Sequence, residues 1–341
     1  MALIDDFRTE TDVDDDGSNL LVYICLFGYI ALAIFYPSVS AVNRRSELIN
    51  RLFFGLPAFL LCVLPALSPV HHWLKEKWNP LKGPLCFLSI TSVFIVLFQF
   101  FVGGGVHWQS VVLASLYLGF PFLVLFYLNR KSQLFAAWLG MAFYLFNLLK
   151  PPIKMVLIRP QASLSLDLNI WFLLSVSSLI FLYRYQLNLP IRYSWKINSK
   201  DIVYLVFGAV VLLVFVVLPA RLIGFTDLVM RPRSLMALVV TFFAKTFLVA
   251  LSEEFLFRGI TFEAFPKRGK WWTGRRGTIL VLLLSSLWFG LYHFRLAGWS
   301  YVFLATLAGL VYGGLYLKTE SLAPPMLLHG LLDTVKFLFY G

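Results

Sequence analysis

The hydrophobic positions fall in long apolar runs separated by short polar connections. The runs lie at 20–36, 52–70, 85–102, 109–128, 133–149, 168–187, 202–223, 235–257, 278–294, 300–317 and 322–340. A helix of about 20 apolar residues crosses the roughly 30 Å hydrocarbon core of a bilayer. The runs are apolar on every side, whereas barrel strands alternate polar and apolar over about ten residues. The pattern therefore predicts an all-α, polytopic transmembrane helix bundle of about eleven spans, with a range of 8–11. Two runs are marginal by this reasoning: 133–149 is short, and 322–340 opens on Pro324-Pro325. No internal repeat of fixed period is present.

Composition supports this reading. The 341 residues are 60% hydrophobic and only 13% charged, with a mean hydropathy of +0.80. Soluble domains are nearer half apolar and a quarter charged. The formal charge of +12 at first suggests a nucleic-acid partner, but the basic residues cluster between apolar runs. Lipid headgroups account for them there, and no nucleic acid is implied. Cys25, Cys62 and Cys86 lie in or beside apolar runs without a CxxC or Cys/His cluster, so they are expected to be buried thiols.

The opening "MALIDDFRTETDVDDDGSN" is acidic, with neither a basic n-region nor a small-residue cleavage site. Residues 1–19 are expected to be a solvated, disordered tail, and the first span is expected to be retained. The densest basic stretch, "PKRGKWWTGRR", falls on the same side as this tail when the spans are counted. The positive-inside bias then places both in the cytoplasm. Intramembrane charge and histidine concentrate after about residue 235. This gives three regions: the tail, helices of unassigned role over 20–200, and a chemical core over 201–341.

Three stretches carry that chemistry: "EEFLFRG" at 253–259, "FGLYH" at 289–293 and "HGLLD" at 329–333. Glu254 and Arg258 are four apart and share a helix face, so they can pair. Glu253 is rotated by about 100° and can point elsewhere. Phe289/His293 and His329/Asp333 repeat the spacing of four. Any one stretch is compatible with interhelical polar contacts. Together they place two Glu, one Arg, two His and one Asp on three greasy helices, and intramembrane ionisable residues point to function.

Several chemistries are excluded by pattern. Ser252 has no GxSxG setting, there is no GxGD, and no HExxH is present. "FVGGGVHW" has neither a preceding strand nor a following Lys-Ser/Thr, so it is not a phosphate loop. Lys245, Arg295, His71, His72 and His107 are given structural roles, the histidines in connections between runs. A glutamate with two histidines remains, a set suited to activating water and stabilising an oxyanion. The same Glu253, His293 and His329 could also form a zinc shell.

In their order, Glu253-Glu254-Phe-Leu-Phe-Arg258, Phe289-Gly-Leu-Tyr-His293 and His329-Gly-Leu-Leu-Asp333 resemble the motifs of the CAAX protease and bacteriocin-processing family (CPBP, or Abi), which includes Ras-converting CAAX endopeptidases. The resemblance covers about residues 235–341. It implies an intramembrane endopeptidase acting on a membrane-associated or lipidated peptide or protein. Glu253 would be the general base, His293 would hold or polarise water, and His329 with Asp333 would stabilise the tetrahedral intermediate. Glu254, Arg258 and Phe289 would support them. It also implies a glutamate-type reaction with no cofactor, zinc being the alternative. The last motif position takes Asn or Asp in the family. An ionised Asp cannot donate a hydrogen bond, so Asp333 is expected to orient and charge His329. Two other classes compete: a non-proteolytic membrane scaffold or immunity protein of the same fold, and a transporter using the buried charges as an ion relay.

Overall fold

The computed structural model describes residues 56–103, 106, 108–129, 173–188, 197–226, 229, 233–264 and 274–339. The predicted spans at 20–36 and 133–149, the acidic tail, Cys25, His107 and residues 265–273 of the basic loop lie outside the described residues. Every described element is helical. The described residues divide into two compact units, one within Val22–Leu189 and one within Pro190–Gly341.

The described part of the first unit contains α1 (Leu56–Val63), α2 (Ser68–Lys77), α3 (Lys82–Gly103), α4 (Trp108–Asn129) and α5 (173–186). The predicted run at 52–70 does not continue as one helix. Pro65 lies in a short 3₁₀ turn at Leu64–Ala66, and Pro69 opens a new helix after an extended Leu67. A proline cannot donate within a helix and favours its first turn. His71 and His72, expected in a connection, therefore lie on α2, where His71 Nδ1 meets the Tyr185 hydroxyl at 3.0 Å. Cys62 is buried and donates to the Leu173 carbonyl, whereas Cys86 is exposed rather than buried.

The second unit contains α6 (Ser199–Leu222), α7 (235–264), α8 (Gly274–Tyr292), α9 (Phe294–Thr319) and α10 (Ala323–Phe339). α6 starts where the Asp201 carboxylate accepts the Asn198 N–H at 2.8 Å, and α7 where Ser234 caps Ala237. α10 keeps Pro324 and Pro325 in its first turn, where their missing N–H groups cost no helical bond.

α8 and α9 form an antiparallel hairpin that turns near His293 and Gly298. Gly298 has φ of +68°, a left-handed value that glycine adopts without strain. The hairpin register is tight. A β-carbon at Gly290 would lie 2.6 Å from the Val302 carbonyl oxygen, and one at Gly309 would lie 3.1 Å from Ser286 Cα. α10 packs as closely on α7, since a β-carbon at Gly330 would lie 2.9 Å from Thr246 Cα. Gly330 adjoins His329, so this contact also sets where the imidazole sits.

Four described helices are long and apolar enough to cross a membrane: Lys82–Phe100, Ser199–Leu222, Leu235–Ile260 and Gly298–Thr319. On α6, Val203, Phe207 and Val210 are exposed, a surface that suits hydrocarbon rather than water. The protein is an integral membrane protein.

Candidate active site

The site is built mainly on α7, whose hydrogen-bonding pattern changes twice. Wide π turns at Lys245–Ala250 and Phe255–Ile260 flank the single α-helical turn Leu251–Glu254. Such turns loosen backbone carbonyls, which need other partners in an apolar setting. Hydroxyls supply several: Ser252 donates to the Val249 carbonyl at 2.7 Å, Thr261 to Leu256 at 2.9 Å, and Ser285 of α8 to Phe257 at 2.6 Å. The two glutamates thus sit on a turn fixed from both sides.

Glu254 and Arg258 are fully buried. Glu254 Oε1 accepts from an Arg258 terminal nitrogen at 3.0 Å. The other terminal nitrogen donates to the Gly309 carbonyl at 3.1 Å, and the guanidinium lies 4.7 Å from the Phe289 ring centroid. Phe289 is therefore a wall of the ion pair as well as the residue one turn before His293.

The same Glu254 Oε1 lies 2.8 Å from Nδ1 of His329. Asp333, expected to orient this imidazole, instead comes no nearer than 4.0 Å, and to the other nitrogen, Nε2. Asp333 Oδ1 accepts from Lys336 at 2.7 Å. The partner of His329 is Glu254 because α7 faces α10 across the Gly330 contact, which brings a carboxylate from another helix closer than the one a turn along. Tyr312 stacks on the His329 ring, with centroids 4.8 Å apart and planes at 13°.

His293 ends α8. Its Nδ1 donates to the Phe289 carbonyl at 2.8 Å, which leaves Nε2 facing Glu253. Glu253 Oε2 lies 3.7 Å from His293 Nε2 and 3.8 Å from His329 Nε2, and this buried oxygen has no hydrogen-bond partner among the described residues. All seven residues singled out in the sequence thus converge: Glu253, Glu254, Arg258, Phe289, His293, His329 and Asp333. Sequence reasoning missed Tyr301, Tyr312 and Lys336. Lys336 had a signal, since it lies three residues after Asp333 on one helix. Tyr312, inside an uncharged run, had none.

An open cleft leads to the two imidazoles. Val216 and Ala220 of α6, Leu304 and Ala308 of α9, and Leu332 and Phe339 of α10 form much of its wall. Lys336 and Tyr301 line it beside His293 and His329. Among the described residues, no group of three or more His, Cys, Asp and Glu side chains has the arrangement of a metal site.

Fold and site together define a buried carboxylate–histidine centre within a helical membrane protein. Residues 235–335 match the model of the type II CAAX prenyl endopeptidase Rce1-like family, and the three motifs all fall inside the match. The resemblance to CAAX proteases read from the motifs is borne out over this segment. Comparison with curated proteins and with solved structures gives no match.

Proposed function

We propose that this protein is an intramembrane endopeptidase that hydrolyses a peptide bond in a membrane-associated or lipidated peptide, using water activated by Glu253. The observation that carries this reading is the position of Glu253 Oε2, with two imidazole Nε2 atoms at 3.7 and 3.8 Å. These separations are too long for direct hydrogen bonds, and a water seated beside the three groups can reach Glu253 and an imidazole at once.

Protonation follows from the partners. His293 donates through Nδ1 to a carbonyl, so its neutral ring presents an acceptor at Nε2. A water between Glu253 and His293 can donate one hydrogen to each, leaving a lone pair free for attack. His329 donates through Nδ1 to Glu254, and with a proton on Nε2 as well it is an imidazolium countered by that carboxylate. Its Nε2–H is then the donor for an oxyanion.

Glu253 removes a proton from water as the oxygen bonds to the scissile carbonyl carbon, and the C=O electron pair moves onto oxygen beside His329. As that pair returns, the C–N bond breaks. The proton held on Glu253 passes to the departing nitrogen, which gives a carboxylic acid and an amine, and the acid then releases its remaining proton to water. Arg258 acts through Glu254 and holds His329 in place.

The matched family is that of type II CAAX prenyl endopeptidases. A cleft with apolar walls ending at the two imidazoles suits a peptide carrying a hydrocarbon group near the scissile bond. We assign catalysis to 201–341, with the tail and the basic loop on the cytoplasmic side. The test is cleavage of an internally quenched peptide with a prenylated cysteine near its C-terminus, in detergent micelles. Cleavage by the wild type that persists in excess EDTA is the expected result. Loss of activity in EDTA, with recovery on adding zinc, would replace the mechanism with a metal-dependent one. Absence of cleavage would favour the scaffold reading.

A further inference from the structure

We infer that Asp333 and Lys336 act as one unit, in which Lys336 is a positioning residue. It neutralises Asp333 and holds a positive charge at the end of the cleft where the oxyanion forms. The inference rests on the hydrolytic reading above and concerns how this chain carries an acid at a position where a neutral amide could donate.

An ionised carboxylate has no hydrogen to give. Asp333 Oδ2 lies 4.0 Å from His329 Nε2, the nitrogen proposed to face the oxyanion. Left alone, its charge would oppose the negative charge gathering on the substrate oxygen. Lys336 answers it from one turn further along α10. Its Nζ donates to Asp333 Oδ1 at 2.7 Å and to the Tyr301 hydroxyl of α9 at 3.1 Å.

Tyr301 ties this pair to the other half of the site, because its ring meets the His293 ring edge-on, with centroids 5.3 Å apart. The ammonium is thus held by two helices and lines the cleft together with both imidazoles. An ordinary surface ion pair would have neither the tyrosine from a second helix nor this place in the wall. A fixed cation beside a developing oxyanion stabilises it without reorganising.

The experiment is a double-mutant cycle on cleavage of the same prenylated, quenched peptide, run beside Glu253→Gln. Lys336→Met is expected to lower kcat by ~10²-fold, the scale of losing one oxyanion-stabilising group, with KM changed less than about twofold. Lys336→Arg, which keeps the charge, should stay within about threefold of wild type. Asp333→Asn/Lys336→Met should recover at least ~10-fold over Lys336→Met, because the uncompensated acid is gone and an amide can donate.

Should Lys336→Met fail to fold, as judged by its melting transition, Lys336→Gln, which keeps the length without the charge, takes its place in the cycle. Additive losses, a change confined to KM, or near wild-type kcat in Lys336→Met would overturn the inference while leaving Glu253→Gln inactive. Wild-type-like cleavage by Glu253→Gln would instead overturn the proposed function. An inactive wild type would overturn both.

Discussion

Glu253→Gln is expected to cut the cleavage rate by ~10³-fold, within the range that a positioned general base contributes, and to leave the fold intact. The substitution keeps the shape and burial of the side chain and removes only its ability to take a proton. Glu254, Arg258 and His329 keep their bonds at 3.0 and 2.8 Å, since none of these passes through Glu253. The loss should therefore appear in kcat, with an unchanged melting transition. Glutamine at 254 should behave differently. It would weaken both the ion pair and the His329 contact, so stability and activity should fall together. A Glu253→Gln enzyme with full activity would mean that water is activated elsewhere.

The second large effect concerns stability. Arg258→Met removes the cation from a fully buried pair and leaves the Glu254 carboxylate with His329 as its remaining partner. Removing one member of a buried pair costs about 3–5 kcal/mol, mostly because the other charge stays behind. The substitution also removes the donor to the Gly309 carbonyl and the cation against Phe289. Denaturant titration in micelles should show the midpoint falling by an amount of this order. Glu254→Gln/Arg258→Met should recover much of it, because no unpaired charge remains. A loss below about 1 kcal/mol for Arg258→Met would place the pair in the weak class typical of exposed salt bridges.

Much of this architecture was legible in the order of residues. Apolar runs of span length located α3, α4, α6, α8 and α10 closely and the bodies of α7 and α9, whose far end and start respectively extend beyond the runs, because hydrocarbon leaves a helix few alternatives. The number of spans was less legible, and four described helices meet the length and apolarity of a crossing helix. The run at 52–70 shows why hydropathy alone misleads: Pro65 and Pro69 break a stretch that composition would continue. α2 was misread in the opposite sense, since "SPVHHWLKEK" is polar enough to resemble a connection.

The site separates local from tertiary information in the same way. A spacing of four was enough to predict the Glu254–Arg258 pair. That spacing also suggested His329–Asp333, yet the short contact of His329 is to Glu254, 75 positions away in the chain. Nothing local encodes that choice, which depends on Gly330 letting α10 approach α7. The π turns around Leu251–Glu254 were likewise invisible, although Ser252, Thr261 and Ser285 are the hydroxyls that bond to their carbonyls.

The central claim is that water held by Glu253 attacks the peptide directly. The most direct measurement is the mass of the new C-terminus when the wild-type protein cleaves the prenylated peptide in the presence of hydroxylamine. Direct attack by water yields only the free carboxylate, as no acyl group is ever held on the protein. A hydroxamate at that terminus would reveal a trapped acyl-enzyme and contradict the account.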